Sequence, residues 1–404
     1  MVLGHVTATA VAPRSPAAAA LPAPGSACRL CRPMRLGFDA KRVFHNATGL
    51  GNYSRDVLRI LQARHPEHEY LAYTPRPGRL APLVGSSLCV KGPRSPLARA
   101  LPSLWRQAGV VADLRRDGVA LYHGLSNELP TGIERAGIAT VVTIHDLIFE
   151  RHPELYAPID RRIYRMKFRS AAARARRVVA ISEQTAADLV ELYGVERARI
   201  RVVYQVCHPA FRAPDDALAA ALRERLALPP SFVLSVGTLE RRKNLLLVLQ
   251  ALRGLDGVHL VAVGRPTAYA RELDAFVAAH GLGARVRFLR GLSMPELAAL
   301  YRMATVLVYP SLFEGFGIPI LEALAAGTPV VTTRGGCFAE AGGPGSAYVD
   351  PRDPDELRAV LAALLADPAR RAEMAARGRE HAARFRDEAI ADELFRVYDQ
   401  ALKA

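Results

Sequence analysis

The chain has 404 residues, half of them hydrophobic and 23% charged, a balance typical of a folded protein that dissolves in water. A length near 400 residues exceeds one ordinary core and predicts two domains. No run approaches about 18 uninterrupted apolar residues, which excludes a helix that spans a membrane. The net charge of +15 is uneven, since residues 1–225 hold 33 Lys and Arg against 19 Asp and Glu. The basic character therefore belongs to the N-terminal half.

Residues 1–33 differ from the rest, with Ala, Pro and scattered Arg but no apolar period. They lack a basic segment followed by a long apolar one, so we predict no signal peptide. We expect a disordered tail or a start codon assigned too early, with Met34 the functional start. Cys28 and Cys31 form one C-x-x-C without the second pair of a zinc site, and five scattered cysteines fit a reducing cytoplasm.

The densest basic run extends from Arg161 to Arg169 and continues to Arg177. Apolar residues are interleaved at Ile163, Tyr164, Met166 and Phe168 and, further on, at Val178 and Val179. A basic amphipathic helix of this kind can lie on an anionic membrane surface. It can equally be a solvated helix face. Nucleic acid is disfavoured as a partner because no recognised binding motif accompanies the charge.

Strand-like and helix-like segments alternate through the first half, which predicts a parallel α/β architecture. The predicted strands are 34–39, 69–74, 119–123, 140–144, 177–181 and 199–203, and the predicted helices are 53–64 and 183–193. A polar stretch with prolines follows at 205–214.

A second alternating series starts near residue 231. Its predicted strands are 232–236, 259–263, 286–289, 306–309 and 329–332, its helices are 244–252, 271–280 and 294–303, and 354–402 is a helical tail. Ser293 and Glu296 form a capping box. We therefore expect an N-terminal domain at 34–210, a linker at 211–230, a C-terminal domain at 231–385 and a C-terminal helix at 386–404 that crosses back. Ligands in such sheets bind beyond the carboxyl ends of strands.

Two carboxylates flank a Gly-Phe-Gly turn after the predicted strand 306–309. Glu314 precedes the turn and Glu322 lies on the following helix, eight residues later. A helix N-terminus approached by glycines can receive phosphate or sugar oxygens, and carboxylates accept from sugar hydroxyls. The alternative is an acid that complements a helix dipole beside an ordinary surface glutamate.

Three consecutive cations, Arg241, Arg242 and Lys243, stand at the predicted start of a helix. Positive charge there is unfavourable unless an anion is shared. A diphosphate is the obvious anion, because arginine binds it bidentately and lysine as a point charge. A solvated basic turn is the alternative.

These two segments resemble the retaining glycosyltransferases of family 4, which have the GT-B fold of two Rossmann-like domains facing across a cleft. The residues from Val236 to Val248 read VGTLERRKNLLLV against the family pattern V-G-x-L-x-x-R-K-N-x-x-x-L, with Val in place of the final Leu. Glu314 to Glu322 match the family's E-x7-E element. The resemblance covers about residues 34–400 and is strongest in the C-terminal half.

The resemblance implies a role for each matching residue in binding the donor. Arg242 and Lys243, in the loop that begins at Gly237, hold the diphosphate, and Glu322 holds the ribose hydroxyls. Glu314, with the backbone of Gly315, Phe316 and Gly317, faces the transferred sugar. Gly264 and Leu292 lie in loops that border the base.

The N-terminal half is similar to the family at several places. Gly49 and Gly51 match a glycine loop near phosphate and acceptor, and they depart from the G-x-G-x-x-G of nicotinamide sites. His145 and Asp146 match a His-Asp pair at the cleft, with His145 expected near the sugar. Ser182 is expected to cap a helix. The stretch from Tyr204 to His208 replaces the family's Y-N-G-V, which leaves a ligand role there open.

The resemblance implies transfer with retained configuration, by front-face attack of the acceptor hydroxyl, with no catalytic metal and no cofactor beyond the nucleotide-diphosphate sugar. Glu314 as a nucleophile is a less favoured alternative. The one D-x-D, at Asp353 and Asp355, lies in a late turn. The donor is expected to be GDP-mannose or a UDP-hexose, and the acceptor a glycan or lipid-linked sugar at the cytoplasmic face of the membrane. A sugar-nucleotide epimerase or phosphorylase, and a non-catalytic sugar-nucleotide-binding protein, are the rival functions.

Overall fold

The computed structural model describes residues 33–78, 80 and 88–404. All of the predicted N-terminal tail except Pro33, including the Cys28 and Cys31 pair, lies outside these residues.

The first half of the described chain forms a parallel sheet of seven strands in the order β3-β2-β1-β4-β5-β6-β7. The strands are β1 (Arg35–Asp39), β2 (Glu69–Tyr73), β3 (Cys89–Lys91), β4 (Leu121–Gly124), β5 (Ala139–Ile144), β6 (Arg177–Ala180) and β7 (Ile200–Val202). Every residue of β5 is buried, as expected for a central parallel strand with helices on both faces. In this order β1 and β4 are neighbours. The chain continues from β1 towards one edge of the sheet, through β2 and β3, and from β4 towards the other edge, through β5, β6 and β7.

The second half forms a parallel sheet of six strands in the order β10-β9-β8-β11-β12-β13. The strands are β8 (Val233–Val236), β9 (Leu260–Val263), β10 (Val286–Leu289), β11 (Val306–Tyr309), β12 (Val330–Thr333) and β13 (Ala347–Val349). Here β8 and β11 are neighbours, and the chain continues from β8 towards one edge of the sheet and from β11 towards the other edge. Two such Rossmann-like sheets confirm the predicted fold class.

Helices connect the strands on both sides of each sheet. In the first half they are α1 (Lys41–His45), α2 (Gly49–Arg64), α3 (Pro96–Ala100), α4 (Pro102–Leu104), α5 (Val110–Arg116), α6 (Ile148–Arg151), α7 (Pro158–Arg174) and α8 (Glu183–Tyr193). In the second they are α9 (Asp216–Arg225), α10 (Leu245–Leu252), α11 (Ala270–Ala279), α12 (Met294–Met303), α13 (Ile318–Ala326), α14 (Phe338–Gly342), α15 (Pro354–Ala366), α16 (Pro368–Ala382) and α17 (Asp387–Lys403).

Several predicted elements differ from the structure. The strands β3 and β13 were not predicted, because three residues at a sheet edge leave no periodic signal. The basic run does not stay helical to Arg177, since α7 ends at Arg174 and Val178 and Val179 are buried in β6. The helical tail is three helices, separated at Asp367 and at residues 383–386, and Asp367 caps the second of them.

The caps predicted from sequence are confirmed. Ser182 accepts from the Thr185 amide at the start of α8. Ser293 and Glu296 form the capping box of α12. Asp353, from the D-x-D pattern, is the N-cap of α15, which accounts for that motif structurally.

The C-terminal helix α17 crosses back to the first sheet, as predicted. Its Tyr398 hydroxyl hydrogen-bonds His123 Nδ1 at 2.8 Å, in the buried core of the first half. Arg64 forms an ion pair with Asp392 at 2.8 Å. The predicted linker contains α9, and Arg225 of that helix pairs with Glu296 of α12. The predicted domain limits stay a prediction.

Candidate active site between the two sheets

Two loops of the second half leave the neighbouring strands β8 and β11 at their carboxyl ends. The loop after β8 runs from Gly237 to Asn244, and the loop after β11 runs from Pro310 to Gly317. Both therefore lie where the strand order reverses, the place at which open α/β sheets bind ligands. The Leu312 amide donates to the Arg242 carbonyl at 2.9 Å, so the two loops touch.

The centre of this site is an ion cluster of one carboxylate and two cations. Glu314 Oε1 lies 2.6 Å from Lys243 Nζ and 2.7 Å from Arg242 Nη1. The three side chains are between 11% and 18% exposed. The structure thus brings together three of the residues predicted from sequence in two distant segments.

The cluster changes the ionisation of its members. Burial alone would raise the pKa of Glu314, but the charges of Lys243 and Arg242 outweigh it and lower this pKa to about 2. Burial lowers the pKa of Lys243, and Glu314 opposes that shift. The carboxylate is therefore ionised at neutral pH and neutralises cations that are otherwise poorly solvated.

The three consecutive cations do not act together. They form a separate 3-10 turn, and α10 begins only after Asn244, whose left-handed backbone (φ 57°) ends that turn. Arg241 pairs with Glu272 and lies 5.3 Å from the Tyr269 ring centroid, away from Glu314. The shared anion predicted for this loop is Glu314 itself in the structure, and two of the three cations face it.

Tyr309 and Glu240 belong to the cluster and were not predicted. Lys243 Nζ donates to the Tyr309 hydroxyl at 2.7 Å and lies 5.0 Å from the centroid of that ring. Arg242 Nη2 donates to Glu240 Oε1 at 2.7 Å. Tyr309 ends a buried strand, so its sequence pattern indicates core, and Glu240 resembles any acid in a polar loop.

The Gly-Phe-Gly turn fits closely against the first half of the chain. A Cβ at Gly315 would lie 2.1 Å from the His145 carbonyl oxygen. Gly317 has φ 102° and precedes α13, a conformation that favours glycine. The Phe316 ring is buried and packs against Tyr204 and Phe385, so its backbone alone is free to face a sugar.

Glu322 lies on α13 in a different environment from Glu314. Its side chain accepts a hydrogen bond from the Tyr301 hydroxyl at 2.8 Å, and the residue is 6% exposed. Burial raises the pKa of Glu322 to about 7, with the Tyr301 hydrogen bond opposing. The two predicted glutamates therefore differ in charge at slightly acid pH.

Gly237 and Gly264 bring the ends of β8 and β9 into contact. A Cβ at Gly264 would lie 1.8 Å from the Gly237 carbonyl oxygen, so this approach requires glycine. Gly237 has φ 150°, and the aliphatic part of Lys243 lies beside it. Leu292, between β10 and α12, is half-buried against the core.

The first half contributes the predicted residues at the carboxyl ends of β1 and β5. Gly49 and Gly51 form the first turn of α2 rather than a preceding loop, because the Asn46 carboxamide accepts from the Thr48 amide and turns the chain there. His145 Nε2 contacts the Leu125 carbonyl at 2.9 Å. A carbonyl can only accept, so Nε2 carries the proton.

His145 and Asp146 adjoin the second half directly. Burial lowers the pKa of His145 to about 4, so the ring is neutral at physiological pH. Burial raises the pKa of Asp146, and the positive charge of Arg242 across the cleft opposes that shift. The Thr185 hydroxyl donates to the His145 carbonyl at 3.3 Å and lies 3.5 Å from the Gly315 carbonyl.

Glu340 on α14 forms a further contact between the halves that was not predicted. Its carboxylate accepts from the amides of Glu183 at 2.7 Å and Gln184 at 3.2 Å, at the start of α8. A carboxylate at a helix N-terminus satisfies free amides and complements the dipole. This contact holds the two sheets together beside the ion cluster.

Within the described residues, no helix is long and apolar enough to cross a bilayer. The same part of the chain shows no group of three or more His, Cys, Asp or Glu side chains arranged to bind a metal ion. Metal independence stays a prediction.

Two family models match the chain on either side of the cleft. The model described as Glycosyltransferase Family 4 matches residues 47–210, and the model described as Glycosyl transferases group 1 matches residues 221–381. O-antigen chain mannosyltransferase B of Escherichia coli is 30% identical over 373 residues, 87% of this chain and 96% of the relative. This chain belongs to glycosyltransferase family 4.

A further relative agrees with this assignment, and solved structures match the fold. D-inositol 3-phosphate glycosyltransferase of Acidothermus cellulolyticus is 30% identical over 390 residues, 88% of this chain and 86% of the relative. The structure of HepE from Anabaena in complex with UDP and glucose superposes with a TM-score of 0.72 at 20% identity, over 90% of this chain and 99% of that one. The lipopolysaccharide glycosyltransferase WaaG gives 0.67 at 18% identity, over 89% and 98%. These neighbours confirm the GT-B fold.

Proposed function

We propose that this family 4 glycosyltransferase moves a hexose from a nucleotide-diphosphate sugar to a hydroxyl of a glycan or lipid-linked acceptor, with retained configuration and without a catalytic metal. The observation that carries the proposal is the ion cluster of Glu314, Arg242 and Lys243 between two glycine-containing loops. Two buried cations and the start of α13 supply the positive charge that a leaving diphosphate requires.

The arrangement of the cluster also supports an order of steps for the proposed reaction. The donor diphosphate takes the place of the Glu314 carboxylate on Arg242 and Lys243, and Glu314 then turns to the transferred sugar. The acceptor hydroxyl attacks from the face that the diphosphate leaves, and a diphosphate oxygen takes its proton. His145 adds a neutral ring beside the Tyr53 ring, with 4.6 Å between the ring centroids. Glu322 binds the ribose hydroxyls.

The relatives support a choice of donor, and the surface supports a location for the enzyme. A relative named for O-antigen mannosyl transfer favours mannose, so GDP-mannose is the first donor to test and a UDP-hexose the second. On α7, Ile159 and Met166 are 64% and 65% exposed beside Arg162 and Arg169. A basic helix with exposed apolar residues suits an anionic lipid surface. We therefore place the enzyme at the cytoplasmic face of a membrane.

Replacing Lys243 tests the diphosphate role. Lys243→Ala is expected to lower transfer and donor hydrolysis about 100-fold or more, the usual cost of losing one group that stabilises a developing negative charge. Released nucleotide is measured across a panel of nucleotide sugars.

Arg241→Ala is the matched control, because Arg241 belongs to the same turn but pairs with Glu272. It should keep activity within a few-fold of the wild type. Near-normal transfer by a folded Lys243→Ala enzyme would remove the phosphate role, and equal losses in both variants would point to a general effect of the turn.

A further inference from the structure

A cationic cavity lies in the first half of the chain, apart from the ion cluster. Its volume is about 570 Å³. Its walls carry the charged or titratable side chains of Lys41, His45, Arg76, Arg106 and Lys167, together with Pro75, Pro102, Ser103 and Gln107. Among the described residues, no carboxylate lines this cavity.

The cavity lies at the edge of the sheet that faces the reaction. Lys41 follows β1 and Arg76 follows β2, so both stand at the carboxyl ends of parallel strands, as do Gly49 and His145. His45 Nε2 contacts the Arg76 carbonyl at 2.9 Å, which ties the loop after β2 to α1.

The described residues that follow β2, from Pro75 to Gly78, lie close to α1. A Cβ at Gly78 would lie 2.2 Å from the Phe44 carbonyl oxygen, so the loop passes over α1 at a distance that glycine permits. This packing holds Arg76 near Lys41 in a defined wall rather than on a free loop.

Two of the four permanent cations are already neutralised. Arg106 binds Asp39 through two nitrogens, at 2.6 and 3.2 Å, and Glu128 at 2.8 Å. Lys167 pairs with Glu128 at 3.2 Å. The bidentate contact with Asp39 fixes the guanidinium of Arg106 in the wall.

Lys41 and Arg76, in contrast, form no ion pair with any described residue. Residues 70–112, which include Arg76, contain six Lys or Arg and no Asp or Glu. Asp39, two residues before Lys41, is paired with Arg106. Burial and the charges of Arg106 and Arg42 lower the pKa of Lys41, and the carboxylates of Glu128 and Asp39, which are already paired with Arg106, oppose that shift. The cavity therefore has an unmatched charge that suits an anion.

Exposed apolar residues stand next in sequence to residues that line the cavity. Leu101 and Leu104, on either side of the lining residues Pro102 and Ser103, are 46% and 58% exposed. Met166, next to Lys167, is 65% exposed. Exposed apolar residues around a charged site mark a surface that contacts an apolar ligand or bilayer.

We propose that this cavity binds the phosphoryl group of the acceptor and that the acceptor is an alkyl-linked, lipid-like phosphate. Lys41 and Arg76 neutralise the phosphoryl oxygens, Ser103 and Gln107 add hydrogen bonds, and Leu101, Leu104 and Met166 contact the alkyl chain. The proposal rests on the proposed transferase function and names the acceptor class for it.

The test is calorimetric titration of the full chain with dodecyl phosphate, below its critical micelle concentration, and with inorganic phosphate. Dodecyl phosphate should bind about tenfold or more tightly than phosphate, since buried methylene groups add affinity. Lys41→Gln/Arg76→Gln should weaken binding of dodecyl phosphate about tenfold or more. Arg253→Gln/Arg271→Gln removes the same charge from the exposed surface of the other half and should bind as the wild type does.

Titration of Lys243→Ala separates this cavity from the donor site. Dodecyl phosphate binding should persist in that variant while donor hydrolysis fails. Unchanged binding in Lys41→Gln/Arg76→Gln, or loss of binding in Lys243→Ala instead, would overturn the cavity assignment. Equal affinity for phosphate and dodecyl phosphate would overturn the lipid-like acceptor. Failure of the donor role is read separately, from nucleotide release.

Discussion

At the scale of single residues, the two glutamates of the E-x7-E element have opposite electrostatic environments. Glu314 contacts two cations, which lower its pKa to about 2. Glu322 has a tyrosine hydroxyl as its partner, and burial raises its pKa to about 7. One carboxylate is therefore permanently charged and the other titrates near neutral pH. Their spacing of eight residues does not distinguish them, because each pKa depends on the side chains packed around it.

Donor affinity is expected to rise with pH through about 7 if Glu322 binds the ribose hydroxyls. The protonated acid accepts hydroxyl donors less well than the carboxylate that forms above pH 7. The free energy of unfolding is expected to change in the opposite direction. Because the pKa of Glu322 is raised from the usual 4.5 to about 7 in the folded protein, protonation of Glu322 stabilises the fold fully below pH 4.5. This stabilisation is lost as pH rises through 7. Nucleotide dissociation constants between about pH 5.5 and 8.5 measure the first effect, and denaturation over the same range measures the second.

Glu322→Gln should remove this pH dependence of donor binding. Asp56 also contributes to the raised pKa of Glu322, because its negative charge disfavours ionisation of Glu322. Burial raises the pKa of Asp56 itself to about 6. Asp56→Asn should retain the step but shift it below pH 7, because the charge of Asp56 raises the pKa of Glu322. A step that survives in Glu322→Gln would assign the titration to another group and contradict the ribose role.

At the scale of elements, two glycines at the start of α2 differ in the space around them. A Cβ at Gly51 would lie 1.7 Å from the Asn46 carbonyl oxygen, whereas a Cβ at Gly49 meets nothing within 4 Å. Arg55 holds the same turn by donating to the carbonyls of Val43 and Asn46. Gly51 therefore shapes the turn, and Gly49 leaves the helix N-terminus open to a ligand.

Gly51→Ala is expected to lower the free energy of unfolding by more than about 2 kcal/mol, because the clash is with backbone that cannot move alone. Gly49→Ala is the matched control on the same turn and should leave stability unchanged or raise it by about 0.5 kcal/mol, since alanine favours helix over glycine. Urea denaturation of both variants measures this. A Gly51→Ala protein as stable as the wild type would show that α2 can start elsewhere.

At the scale of the whole molecule, the two halves are held together by contacts far apart in the sequence. The helix α17 returns from the second half to the core of the first, where Tyr398 meets His123. Beside the cleft, Glu340 caps α8 of the other half, and Gly315 touches the backbone of His145. These contacts join the two halves on both sides of the ion cluster's loops.

Glu340→Ala is expected to open the cleft, because it removes two charge-assisted hydrogen bonds that join the halves. Small-angle X-ray scattering should show a larger radius of gyration than for the wild type. Glu356→Ala is the control, since Glu356 accepts from the Asp350 amide within the second half. A radius unchanged in Glu340→Ala, or increased equally in both variants, would contradict the role of Glu340 in closure.

The alternation of apolar and polar segments predicted both Rossmann-like sheets, and the family motifs predicted Lys243, Arg242 and Glu314, which the structure brings together. The sequence did not predict Tyr309, Glu240 or Glu340 as members of the site. Tyr309 ends a buried strand and the two acids stand in ordinary polar contexts, so local pattern carries no sign of their partners.

The sequence by itself determined most of the order of strands and helices, the caps at Ser182 and Ser293 and the uneven charge, because each depends on neighbours along the chain. Tertiary structure decided which cation faces Glu314, which glutamate titrates near neutral pH, and that Lys41 and Arg76 line one cavity without a carboxylate. These properties depend on distances of a few ångströms between segments tens to hundreds of residues apart. Electrostatic and hydrogen-bond energies fall steeply over such distances, so the folded arrangement sets them.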